Sequence, residues 1–240
     1  MADDMTTDPG ASHLEGSPFR RLLLERTPRV IATPALIVAN VLIYAATAGA
    51  SGQTEPRPDV LVGWGALFGP GVANGEWWRL VSAMFLHGDG TIKGTLLHLA
   101  VNLWSLFQLG TLYETMFGTR RFVWIYFVTG IVASLTSMIV NGGPSVGASG
   151  AIFGILGAFV FSVRRSPHWR HDRIARSLVM QCIFWIILNI VVLSQIPQID
   201  NAAHIGGLVA GLLLGLLWPQ PAPPPPRPAQ VVIDVLPHDD

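Results

Sequence analysis

The sequence predicts an all-α polytopic membrane protein, and three observations carry that prediction. Half of the 240 residues are apolar and only 12% are charged, whereas a soluble domain carries about a quarter charged residues; the mean hydropathy is +0.47. Apolar runs long enough to cross a hydrocarbon core about 30 Å thick recur six times along the chain. The arginines sort to one side of those runs, as the positive-inside rule requires.

Taken in order, the first span is placed near 30–50, behind Arg20, Arg21, Arg26 and Arg29. A long loop with Arg57, Arg79 and Lys93 leads to the second span, near 94–115. Arg120 and Arg121 precede the third, near 120–140. The fourth, near 147–163, opens on Gly147-Ala148-Ser149-Gly150 and closes on Arg164 and Arg165. Arg170, Arg173 and Arg176 precede the fifth, near 177–195, and Arg227 follows the sixth, near 200–218. With the N-terminus in the cytoplasm, twelve of the fifteen basic residues face that side. The expected layout is a flexible cytoplasmic segment over 1–29, a membrane domain over 30–218 and a cytoplasmic tail over 219–240. That tail holds the proline tract from Pro221 to Pro228, which cannot form a packed core. The basic residues and the apolar stretch ending Ala46-Thr47-Ala48 also have the outline of a secretory leader. The polar lead-in is long for one, and cleavage would leave the remaining topology unchanged.

Composition excludes several functions. The net charge is zero, so bulk electrostatics give no case for nucleic-acid binding. Cys182 is the only cysteine, which rules out a disulfide framework or a thiol cluster. The chain has no His-Glu-x-x-His, Cys-x-x-Cys or Gly-x-Gly-x-x-Gly pattern, so no metal and no cofactor is expected.

Two polar residues lie inside apolar runs, where reactive groups are costly and a functional reading is the default. Ser149 is fifteen residues before Arg164, or roughly 22 Å of helix, which sets it roughly 8 Å below the outer surface. His204 is fourteen residues before Trp218, which reads as an interfacial anchor, or roughly 21 Å. The two depths match. Gly150, Gly154 and Gly157 follow the serine, and Gly207, Gly211 and Gly215 follow the histidine. Small residues at that spacing let membrane helices pack backbone to backbone. Either polar residue alone reads as helix packing; together they read as a nucleophile and its base.

A third element lies on the second span, where His98 and Asn102 share one face at i, i+4. Asn102 comes out roughly 20 Å above the cytoplasmic face, level with Ser149. Acyl transfer needs donors aimed at a developing oxyanion. An asparagine amide, a histidine N–H and the Ser149 backbone N–H at a helix start would serve. Asp200, four residues before His204, reads as the N-cap of the sixth helix rather than as a partner of the imidazole.

These residues resemble the rhomboid family of intramembrane serine proteases. The likeness covers about residues 30–218. It rests on Gly147-Ala148-Ser149-Gly150, on Ala203-His204 with Gly207 and Gly211, on His98 with Asn102, on Trp78-Arg79, and on Gly110 with Glu114. The resemblance implies a six-helix rhomboid-like bundle. It makes Ser149 the nucleophile, His204 the general base without a carboxylate, and His98, Asn102 and the Ser149 N–H the oxyanion donors. It implies that Gly147 gives the backbone room to approach substrate and that Phe153 packs on the imidazole. Arg79 and Glu114 would form a pair bracing the first loop, with Gly207 and Gly211 structural. There is one departure from the family pattern. The family's histidine a few residues before the His98–Asn102 pair is replaced by His87, eleven residues before His98, with a loop over 88–94 between. His87 is thereby left without an assigned role.

The implied activity is hydrolysis of peptide bonds in or near transmembrane segments through a Ser-His dyad. The implied partners are transmembrane protein substrates and the lipid bilayer, with neither nucleic acid nor metal. The implied place is a bacterial inner membrane, with both termini cytoplasmic. The alternative is a rhomboid-fold pseudoprotease that binds membrane clients without cleavage; loss of the serine or the histidine would be its signature, and both are present. A transporter would need paired intramembrane charges or broken inverted repeats, and neither is seen in the sequence.

Overall fold

The computed structural model describes residues 19, 20, 23, 29–88, 90–192, 195, 196 and 199–218. The expected tail over 219–240 and most of the expected segment over 1–29 lie outside the described residues. Phe19 is nevertheless fully buried, its ring edge-on to Trp169 at 6.2 Å, so the packed chain reaches back at least that far.

The described residues are helical apart from connections and one isolated antiparallel bridge, Leu67 to Ser145. Helix α1 is Ala32–Ser51. Three short helices fill the first loop: α2, Pro58–Gly63, α3, Gly69–Ala73, and α4, Arg79–Ser82, which runs into a 3₁₀ turn at Ala83–Phe85. The long helices α5, Ile92–Phe117, and α6, Thr119–Val140, follow. Helix α7 is Ser149–Arg165, α8 is Arg173–Val191 and α9 is Asn201–Leu217. Helices α1, α5, α6 and α8 are long and apolar enough to cross a membrane. The other two expected spans correspond to α7 and α9, with 17 residues each, or about 26 Å of helix.

Helix α7 stands at the centre, buried at every position from Gly150 to Val160. A helix apolar on all sides and so enclosed must be packed by its neighbours, here α6 and α9 above all. The α7–α9 contact is the tightest. A Cβ on Gly207 would overlap the Gly150 carbonyl oxygen, and one on Gly211 would overlap that of Gly154. One turn further, a Cβ on Gly215 would sit 2.8 Å from the Ala158 oxygen. The seam therefore pairs Gly215 with Ala158, while Gly157 faces Leu208 instead.

The expected pairing of Arg79 with Glu114 does not form. Arg79 stays within the first loop, donating to Glu76 Oε2 at 2.6 Å and to the carbonyls of Val62 and Ala66 at 2.7 and 3.0 Å. Glu114 is fully buried and serves the start of α1. It accepts from the backbone N–H groups of Ile31, Ala32 and Thr33 at 2.8–2.9 Å and from the Thr33 hydroxyl at 2.8 Å. The Thr119 hydroxyl adds a fifth bond at 2.7 Å. The physical reason is that α1 has no capping side chain of its own, Ile31 standing at its N-cap. Its first amides would otherwise be orphaned in an apolar setting. Helix α8 also starts earlier than the expected 177, because Asp172 caps it by accepting from Ile174 N and Ala175 N.

Because the two side chains belong to separate networks, a double-mutant cycle between Arg79→Ala and Glu114→Ala should be additive within about 0.5 kcal/mol. Glu114→Ala alone should cost about 3 kcal/mol or more, since it strands several buried donors at once. Thermal unfolding in detergent tests both statements, and a coupling energy well above that margin would restore the direct pair.

Candidate active site

The Ser149 end of the site is built by the connection between α6 and α7. Leu67 and Ser145 exchange two backbone hydrogen bonds, at 2.9 and 3.0 Å, and Gly147 N donates to Ala83 O at 2.9 Å. The first loop thus holds the strand that delivers Ser149 to the first position of α7. Gly147 adopts φ +126°, a region that favours glycine, and a Cβ there would lie 2.8 Å from His98 Nε2. Glycine is required twice over, by the turn and by the imidazole against it.

The His204 end is the first turn of α9. Asp200 caps that helix, accepting from Ala203 N at 2.9 Å as expected from the sequence. His204 is 5% exposed, and its Nε2 lies 2.8 Å from Ser149 Oγ. With the hydroxyl donating, the ring carries its own proton on Nδ1. That Nδ1 has no hydrogen-bond partner among the described residues. The ring is held by stacking instead: Phe153 lies parallel to it, centroids 4.2 Å apart and planes 10° apart. Such stacking contributes about 0.5–1.5 kcal/mol beyond area burial.

Ser149, His204, Gly147, Phe153 and His98 therefore converge. Asn102 is 5% exposed, one turn along α5 from His98, and its Nδ2 donates to the His98 carbonyl at 2.8 Å. Gly207 and Gly211 form the seam directly below the dyad. Arg79 and Glu114 lie in the networks described above, neither of them in contact with the dyad. Among the described residues no three His, Cys, Asp or Glu side chains are grouped as a metal site would require. A cavity of about 20 Å³ lies behind Gly147, bordered by Ala83, Met84, Ser145 and Ala203. It has room for about one water and none for a side chain.

Two residues acquire places that the sequence reading did not assign. His87 is fully buried with its ring edge against His98, centroids 5.1 Å apart. Residues 90–93 after it form an exposed bulge. Gly90, at φ +88°, donates to Glu55 Oε1 at 3.1 Å, and Thr91 caps α5 by accepting from Gly94 N. The glycines at 88, 90 and 94 were the available signal for such a bulge. The second residue is Asp200, whose carboxylate gathers side chains as well as the helix cap. Its signal was the four-residue spacing of Ser137, Asn141 and Ser145.

Residues 74–220 match the family model of the rhomboid domain. The chain is 38% identical over 163 residues to the rhomboid protease GluP of Bacillus subtilis, a match covering 68% of this chain and 29% of that protein. It is 39% identical over 155 residues to RHOMBOID-like protein 5 of Arabidopsis thaliana, covering 62% and 47%. It is 33% identical over 183 residues to Rhomboid-like protease 3 of Toxoplasma gondii, covering 75% and 66%. The chain thus spans less than half the length of the first two of these relatives.

Burial, and secondarily the neighbouring His98, push the His87 pKa down to about 3 from its usual 6.5. The folded protein then holds this ring neutral where the unfolded chain would protonate it. The associated stability is present in full above about pH 6.5 and is lost as pH falls toward 3. The melting temperature in detergent should therefore drop between pH 6.5 and 4, and His87→Phe should remove part of that drop. An unchanged pH slope in the variant would show that His87 is not the group responsible.

Proposed function

Since the chain belongs to the rhomboid family, we propose that it is an intramembrane serine endopeptidase cutting peptide bonds in or near transmembrane segments of other proteins. The observation that carries this reading is the 2.8 Å contact between Ser149 Oγ and His204 Nε2, with the imidazole clamped on Phe153. His204 takes the Ser149 proton as Oγ attacks the scissile carbonyl, then returns it to the leaving amine. A water activated by the same imidazole releases the acyl group. The oxyanion is met by the Ser149 backbone N–H at the start of α7, by His98 Nε2 and by the second amide hydrogen of Asn102. Phe153 takes over the orienting task of a carboxylate, and Gly147 leaves the backbone open to the incoming strand.

The substrate must open locally, because a stable helix hides its carbonyls in its own hydrogen bonds. Small or helix-breaking residues near the outer end of a transmembrane segment meet that requirement. The reading includes six spans over 30–218 with both termini in the cytoplasm, supported by the distribution of arginines and apolar runs, a proline-rich tail over 219–240, and a bacterial inner membrane, which a six-span layout fits. No metal or cofactor takes part.

A fluorophosphonate probe should label the purified protein, and Ser149→Ala should abolish labelling. His204→Ala should lower cleavage of a model transmembrane substrate at least 10²-fold without unfolding the protein. Asn102→Ala should be milder, about tenfold, because two other oxyanion donors remain. Absence of labelling in the wild type would favour the pseudoprotease, and labelling of Ser149→Ala would remove the nucleophile assignment.

A further inference from the structure

The carboxylate of Asp200 is the meeting point of four donors from three parts of the chain. Ser137, fully buried near the end of α6, donates its hydroxyl to Oδ2. Asn141, four residues on at the C-cap of α6, donates Nδ2 to Oδ1 at 2.7 Å. Ser145, another four residues on, donates its hydroxyl to Oδ2 at 2.6 Å. Ala203 N supplies the helix cap at 2.9 Å. Hydrogen bonds to an ionised acceptor are shorter and about twice as strong as neutral ones. A cap alone needs one of these four bonds, so the other three call for a separate account.

Their placement supplies it. Ser145 is four residues before Ser149, on the segment bridged to Leu67 and followed by the Gly147–Ala83 bond. Asp200 is four residues before His204, and its own carbonyl accepts from His204 N at 3.1 Å. One carboxylate thereby ties the strand that delivers the nucleophile to the turn that delivers the base. Below the dyad the two helices are registered by the glycine seam; above it, among the described residues, Asp200 is the side chain that bonds both sides. We propose that Asp200 is a positioning residue for the reaction, a latch that fixes Ser149 and His204 in register through Ser145 and Ser137. It touches neither reacting atom. Its effect comes from geometry, since a displacement of about 1 Å can cost 10²-fold in rate.

This inference rests on the Ser149–His204 reading, and the test separates the two. Asp200→Asn keeps a good N-cap and removes the charge that gathers the hydroxyls. Ser145→Ala removes one arm of the latch, and Ser145→Thr keeps its hydroxyl. Asp200→Asn and Ser145→Ala should each lower kcat on a transmembrane substrate, and the rate of fluorophosphonate labelling, about tenfold or more. KM should stay within about twofold and the melting temperature near that of the wild type. Ser145→Thr should recover most of the rate, and the Asp200→Asn, Ser145→Ala double variant should be little worse than Asp200→Asn alone. If Asp200→Asn does not fold, the Ser145→Ala and Ser145→Thr pair carries the test. Wild-type labelling and kcat in Asp200→Asn, or in Ser145→Ala, would overturn the latch. Labelling retained in Ser149→Ala would instead overturn the dyad on which the latch acts.

Discussion

The structure depends on the close approach of two backbones. Gly207 rests on the carbonyl of Gly150 and Gly211 on that of Gly154, leaving no space for a Cβ at either position. Between helices in lipid the hydrophobic effect gives little drive to associate, so contact at this range is how α7 and α9 gain attraction. The first rung of the seam involves the residue next to Ser149 and one three residues after His204, and the helices can reach each other's side chains only because the rungs below are so short. A wider crossing would leave the hydroxyl and the imidazole out of reach, whatever their depths.

Around that seam, carboxylates, one buried and two half-buried, do the fastening that apolar contact cannot. Glu114 reaches from α5 to the first amides of α1, a helix whose own sequence offers no cap. Asp172 starts α8, and Asp200 starts α9 while holding the end of α6 and the connection into α7. In each case an anion sits where a helix dipole and its unpaired N–H groups favour it. Arg79 works the other way round, a buried cation collecting two loop carbonyls with Glu76 as its counter-charge.

The imidazole of His204 has a far nitrogen that meets no protein acceptor among the described residues. A carboxylate normally orients the ring and fixes its tautomer. Here Phe153 lies flat against the ring, and Asp200 is joined to His204 through a backbone hydrogen bond. On the other side of Ser149, His87 is fully buried with its ring edge against His98, and the His98 ring lies against Gly147.

The membrane class was legible in the sequence alone, and so were Ser149 and His204 as the candidate pair. Apolar runs, arginine placement and helical rise are one-dimensional quantities, and bilayer thickness converts them into depth. The same arithmetic could foresee that glycines at 207 and 211 face α7, because a four-residue period defines a helix face. It could not say which partner each long polar side chain would choose. Arg79 and Glu114 went to separate networks, since a buried charge takes the nearest unpaired backbone groups and those are set by how loops and helix ends meet. His87 packs on His98 although eleven residues separate them, a contact that spacing along the chain does not reveal. Ser137, Asn141 and Ser145 met Asp200 for a related reason. Bonds across 55 to 63 residues exist only once helices have packed, and packing is decided in three dimensions.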